Sequence, residues 1–195
     1  MINVAIYIYD NAKVLDFSGP FEVFTTAARI AGDVVPFNTF LVSEQSKQIQ
    51  ARAGYTLQSN YSFDDHPNID VLIVVGGVHD AEMEKPNVIQ WIKQQSASSC
   101  LTASVCTGAF LLAKAAVLSN MQVTTHWQDI KDLREQFPCL DVKEGVRWVD
   151  NGDIVTSGGI SAGIDMSLHL VSKLHSHELA EQTAKQMEFS WTKNT

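Results

Sequence analysis

Five consecutive apolar residues, Val71-Leu-Ile-Val-Val75, closed by Gly76-Gly77, constrain this chain more than any other segment. A short β-branched run bounded by glycine reads as a strand. A strand with no polar alternation is covered on both faces, the condition of a parallel strand in an α/β sheet.

The neighbouring segments agree. Asn3 to Tyr9 is a β-branched first strand. Gly19-Pro20 opens a helix and Gly32 stands where its C-cap belongs. Between them Phe21, Phe24, Ala27 and Ala28 recur at helical spacing, with Val23 and Ile30 widening the stripe. Phe37 to Val42 reads as a second strand, and Gly54 to Asn60 as a small hairpin or edge piece. A helix over Asn87–Ser96 leads into the strand that ends before Cys106, and a nearly all-apolar helix over Thr107–Leu118 follows. Met121 to Thr125 is another strand. Arg147 to Thr156, with Asn151-Gly152 at its tip, is a hairpin. A helix from Ser161 to His175 buries Ile164, Leu168, Val171 and Leu174, and Ser176 caps a last helix to about Phe189. This alternation predicts one α/β domain over residues 1–195: a flavodoxin-like, doubly wound, mainly parallel sheet with helices on both faces and a small β-hairpin element.

Charge and composition remove several function classes. The formal net charge of −8 with no Lys/Arg cluster argues against direct nucleic-acid binding. No stretch approaches the roughly 18 apolar residues of a membrane span, and Met1 to Asp10 lacks the basic start of a signal peptide. Three cysteines without regular spacing fit a reducing compartment, so a cytoplasmic location is expected.

The candidate chemistry centres on Cys106. It falls on a sharp strand-to-helix turn, with small residues two before (Ser104) and two after (Gly108), the layout of a nucleophile elbow. A thiol at a helix start meets the positive dipole end and free N–H groups, and both favour the thiolate. A free cysteine is also among the most buried residue types and usually behaves as a small hydrophobe, so the turn alone leaves both readings open. Cys100 and Cys139 have no helix opening behind them and read as structural.

In α/β sheets ligands bind at the carboxyl ends of strands. Three features map there: Asp16 in a loop after the first strand, Gly76-Gly77 after the apolar one, and Cys106-Thr107. Asp16 is either an ordinary acid before a helix or a carboxyl facing the thiol, where the two groups would share a proton. Gly76 and Gly77 form either a plain turn or a close backbone approach that offers an N–H to a reacting atom. Thr107 is either a helix-start residue or a donor, through its N–H to an oxyanion and through its hydroxyl to the thiolate. His126 follows a strand and could neighbour the elbow, although a lone histidine is more often structural. His175 and His177 span a helix break and do not make a metal site; no metal or cofactor is expected.

Leu15-Asp-Phe-Ser-Gly-Pro20, Val71 to Gly77, Ser104-Val-Cys-Thr-Gly108, Thr124-Thr-His-Trp127 and Thr156 to Asp165 together resemble the ThiJ/PfpI superfamily, whose fold is like that of class I glutamine amidotransferases. The resemblance covers the whole chain in order. It is nearest to isocyanide hydratase and to the amidotransferase-like sensor domain of AraC-type transcription regulators. The intracellular peptidase branch places histidine after the cysteine, where Thr107 stands here. The glyoxalase or deglycase branch has glutamate where this chain has Asp16. Val75 replaces a proline found in many relatives, and Val78-His79 replaces a second glycine-rich turn.

The resemblance implies that Cys106 attacks an isocyanide carbon to form a thioimidate. Asp16 handles the protons, Thr107 tunes the thiolate, and an N-formamide results. It also implies a homodimer, which nothing in the residues themselves specifies. The alternative function is a ligand-sensing domain of an AraC-type regulator, lacking or separated from its helix-turn-helix module; no such module is expected in the residues after Phe189. A third is redox sensing through oxidation of Cys106.

Overall fold

The computed structural model describes residues 1–32, 35–45 and 48–194. The chain runs β1 (Ile2–Tyr7), α1 (Val14–Ile30), β2 (Phe37–Val42), β3 (Gln48–Gln50), β4 (Thr56–Gln58), β5 (Val71–Val74), α2 (Asp80–Met83) and α3 (Pro86–Ser98). It continues through β6 (Leu101–Val105), α4 (Gly108–Lys114), β7 (Gln122–Val123), α5 (Ile130–Gln136), β8 (Asp141–Val142), β9 (Trp148–Asp150), β10 (Ile154–Ser157), α6 (Ala162–Leu174) and α7 (His177–Gln186).

Six strands form one sheet in the order β2-β1-β5-β6-β10-β9. The first five pair in parallel and β9 joins β10 antiparallel, so the hairpin expected around Asn151-Gly152 caps a parallel sheet. The central strands β5 and β6 are buried at every residue, as the unbroken apolar run requires. Helices α1, α6 and α7 pack together on one face, and α3 and α4 on the other. The piece expected over Gly54 to Asn60 supplies only β4, which pairs antiparallel with the earlier β3 to make the small hairpin. Strand order reverses between β1 and β5, and that switch point opens the crevice in which such folds bind ligands. No helix among the described residues is long and apolar enough to cross a membrane.

Three local expectations change. α1 begins at Val14, ahead of Gly19-Pro20. Pro20 therefore sits inside the helix, where its missing N–H leaves the Asp16 carbonyl without its usual donor. Phe17 is buried one turn ahead of the proline, and its burial carries the helix back past it. The helix after Cys106 ends at Lys114 and not Leu118, because Ala116 turns left-handed at φ +57. The strand expected over Met121–Thr125 shortens to Gln122–Val123, paired in parallel with Asp141–Val142 outside the main sheet.

Candidate active site

Strand β6 ends at Val105 and α4 begins at Gly108, so the chain turns within Cys106-Thr107. Cys106 adopts φ +57, a left-handed conformation that costs a non-glycine residue about 1 kcal/mol or more. Three bonds hold this strained turn. The Cys106 N–H reaches the carbonyls of Ser157 and Gly158 at 3.2 and 3.3 Å, and its carbonyl accepts the Thr125 hydroxyl at 2.8 Å. Gly108 is obligatory on steric grounds, since a Cβ there would lie 2.1 Å from the Val74 carbonyl oxygen. The elbow expected from Ser104 and Gly108 is present.

Asp16 arrives from the first turn of α1, not from a loop ahead of it, and is completely buried. Its Oδ1 accepts the Ile160 N–H at 3.0 Å. Its Oδ2 has no hydrogen-bond partner and points into the space beside the elbow. A Cβ on Gly76 would sit 2.8 Å from that oxygen, 2.7 Å from Cys106 Cβ and 2.6 Å from the Thr107 nitrogen. Glycine at 76 is thus what allows carboxyl, thiol and helix start to converge.

Burial pushes both groups toward their neutral forms. The Asp16 carboxyl rises from 3.8 to about 6, with the Ile160 N–H, the thiol, Lys13 and the Gly76 N–H opposing the rise. The Cys106 thiol rises to about 12, first through burial and then through the Asp16 charge; Lys13 and the Thr107 N–H pull it back. A thiolate held ionised at rest is therefore not what this geometry supports. The helix start after Cys106 is seven residues long, and burial together with a neighbouring carboxylate outweighs it. At neutral pH the pair holds one proton, which rests on sulfur beside the carboxylate.

Thr107 and Gly77 are placed together, in roles other than those expected. The Thr107 hydroxyl accepts the Gly77 N–H at 3.0 Å and donates to the Gly77 carbonyl at 3.1 Å. The Gly77 N–H is therefore occupied and is no oxyanion donor, and the hydroxyl faces the glycine loop instead of the thiol. What remains directed at sulfur is the Thr107 backbone N–H.

His126 does neighbour the elbow. A Cβ on Gly159 would lie 2.3 Å from His126 Cδ2 and 3.1 Å from Cys106 Sγ, so that missing side chain leaves open the space between thiol and imidazole. His126 Nδ1 lies 3.3 Å from Asp129 Oδ2. The cleft over Cys106, about 300 Å³, is lined by Lys13, Arg52, Thr107, His126 and Asp129 among others. A groove of about 390 Å³ on the far side of His126 is walled by Trp127, Ile130, Val146, Arg147 and Ile160. Cys100 and Cys139 line neither, and both are exposed and not packed into the structure. Among the described residues no group of three His, Cys, Asp or Glu side chains is placed to hold a metal.

Sequence reading missed Ile160, Gly159 and Lys13. Ile160 works through its backbone N–H and Gly159 through an absent side chain, and neither leaves a chemical signature. Lys13 precedes α1 and acts at a distance, which only coordinates reveal.

The DJ-1/PfpI family model matches residues 2–173. The isonitrile hydratase of Pseudomonas putida is 29% identical over 190 residues, covering 97% of this chain and 79% of that protein. The transcriptional regulator CdhR of Pseudomonas aeruginosa is 27% identical over 174 residues, covering 89% of this chain and 51% of that protein. The chain thus spans about half the length of that regulator. A ThiJ/PfpI family protein from Pseudomonas syringae superposes with a TM-score of 0.86 at 22% identity, over 100% of this chain and 77% of the other. An AraC family transcriptional regulator from Pseudomonas putida gives 0.82 at 19% identity, over 96% and 100%. These two structures share the fold.

Proposed function

Since the chain belongs to the DJ-1/PfpI family, we propose that it is a cysteine-dependent hydratase of a small molecule, with an isocyanide as substrate and an N-formamide as product. The observation that carries this reading is the convergence, across Gly76, of the buried Asp16 carboxyl on Cys106, which itself lines the cleft. The 29% identity to an isonitrile hydratase over nearly the whole chain adds to it.

The chemistry balances on this pair. Sulfur attacks the terminal isocyanide carbon while Asp16 accepts the thiol proton. That proton is returned to the same carbon, giving a neutral thioimidate, R–N=CH–S–Cys106. Asp16, again a carboxylate, takes a proton from the incoming water as its oxygen bonds to carbon, and nitrogen receives that proton. The tetrahedral adduct expels the Cys106 thiolate and leaves R–NH–CHO; the thiol regains the proton released from the hydroxyl. The Thr107 N–H faces the departing sulfur, and His126 lines the cleft that opens on Cys106.

The test is N-formamide formation from a small alkyl isocyanide, followed by mass spectrometry, with wild type and Cys106→Ser. Product from wild type alone is expected. Equal rates in both proteins, or none in either, would overturn the hydratase.

A second reading, a ligand-sensing domain, draws on the match to a transcriptional regulator of about twice this length. Saturable binding of a small molecule at Cys106 with no turnover would favour it.

A further inference from the structure

We propose that Arg147 and the segment Trp191–Asn194 form a clasp that positions the Ile160 N–H on Asp16, making Arg147 a positioning residue for the Cys106–Asp16 pair. The inference rests on the reading of that pair as the reacting centre.

Ile160 sits at φ +59, a conformation that a β-branched residue adopts only when its surroundings impose it. Arg147 supplies the imposition from both sides. Its carbonyl accepts the Gly158 N–H at 2.9 Å, and its guanidinium donates to Ser161 Oγ at 3.2 Å. The two residues that flank Gly159-Ile160 are thereby tied to one side chain and its own backbone.

Arg147 is in turn fixed by Asp165, in the first turn of α6 and completely buried. Nε donates to Asp165 Oδ2 at 2.8 Å, and Nη2 reaches the same oxygen. The remaining oxygen, Oδ1, accepts the Thr192 N–H at 2.7 Å, and the Asp165 carbonyl accepts the Trp191 indole N–H at 3.1 Å. Asn194 Nδ2 donates to the Trp148 carbonyl at 2.5 Å, closing the segment over the start of β9. A buried carboxylate is tolerated only when paired and fully hydrogen-bonded, and here the segment after α7 completes its shell. The hydrogen bonds thus run from Thr192 through Asp165, Arg147 and Ser161 to the turn whose N–H holds Asp16.

Charge-neutral variants test the clasp. Thr192→Pro removes one N–H to Asp165, and Trp191→Phe removes the other donor. Arg147→Lys keeps the charge and loses the fork. Arg147→Met is avoided, since it strands the Asp165 charge. The readout is the pH profile of Cys106 carboxamidomethylation by iodoacetamide, measured on the Cys106 peptide by mass spectrometry. The exposed Cys100 and Cys139 serve as internal controls for intrinsic thiol reactivity.

The groups facing Asp16 are Lys13 and Tyr9 from the chain leading into α1, Cys106 from the elbow, and the N–H groups of Gly76 and Ile160. The variants alter only the last. Wild type should show an acid limb near 6 at Cys106. Loosening the Ile160 bond should move that limb up by roughly one pH unit. A limb that stays in place in all three variants while their melting temperatures fall makes the clasp merely structural and overturns the proposal. A wild-type profile with no limb removes the proton-sharing pair itself, and the clasp's role with it.

Discussion

Thr107 and Gly77 exchange two hydrogen bonds, one in each direction, through a single hydroxyl. This reciprocal lock ties the turn after β5 to the start of α4. Thr107→Val should free both Gly77 groups, lowering stability by about 1–2 kcal/mol in urea unfolding. Because the hydroxyl does not face sulfur, Cys106 should titrate unchanged in that variant by thiolate absorbance. A clear shift would return the hydroxyl to the role of thiolate donor.

Asp16→Asn separates two properties that one carboxylate combines. Removing the charge takes away an influence that raises the thiol, so Cys106 should ionise more readily. Turnover should nonetheless fall by about 10²–10⁴-fold, the usual contribution of a positioned acid or base. A variant with both a more acidic thiol and full activity would exclude Asp16 as the proton carrier.

The same substitution has a pH-dependent stability consequence. The folded-state carboxyl value, about 6, lies above the ordinary 3.8, so the folded protein holds this proton more tightly than the unfolded chain. Stability from this source is fully present below 3.8 and is lost as pH rises to about 6. Above that the buried carboxylate costs about 3 kcal/mol. Asp16→Asn should therefore be more stable than wild type at pH 7.5 by up to that amount, and nearly equal to it below the lower value. Denaturation curves giving the same difference at both pH values would contradict the buried charge.

Gly76→Ala places a methyl group within 2.8 Å of three atoms, two of them backbone or backbone-adjacent. The Thr107 nitrogen and Cys106 Cβ cannot retreat without opening the elbow, so a destabilisation of about 1–3 kcal/mol is expected. Cys106 alkylation should also lose its acid limb, since the carboxyl is forced away from the thiol. A crystal structure of the variant with the pair unmoved would refute the packing argument.

Much of this arrangement could be read from residue order. The apolar run at Val71 required a two-sided sheet, and β5 is buried throughout. Cys106, flanked by Ser104 and Gly108, announced its turn, and the left-handed backbone is there. Helix start signals misplaced α1 because Pro20 is tolerated inside a helix whose earlier turn buries Phe17 and Asp16. The helix start after Cys106 favours a thiolate and the fold opposes it, for a related reason. Local dipoles can be counted along a chain, whereas burial, which dominates here, depends on how distant segments close over the sulfur. Ile160 and Arg147 stayed invisible because the first acts through backbone and the second through a residue it does not touch in sequence.

The bond from the Ile160 N–H to Asp16 spans 144 residues. Contacts so remote along the polymer form only after the intervening strands have assembled. On dilution from denaturant, burial of the core aromatic residues should recover first, and the characteristic reactivity of the Cys106 thiol should lag behind it. Until that bond forms the carboxyl has no fixed place beside the sulfur, so the Cys106–Asp16 pair is among the last features of the molecule to be completed.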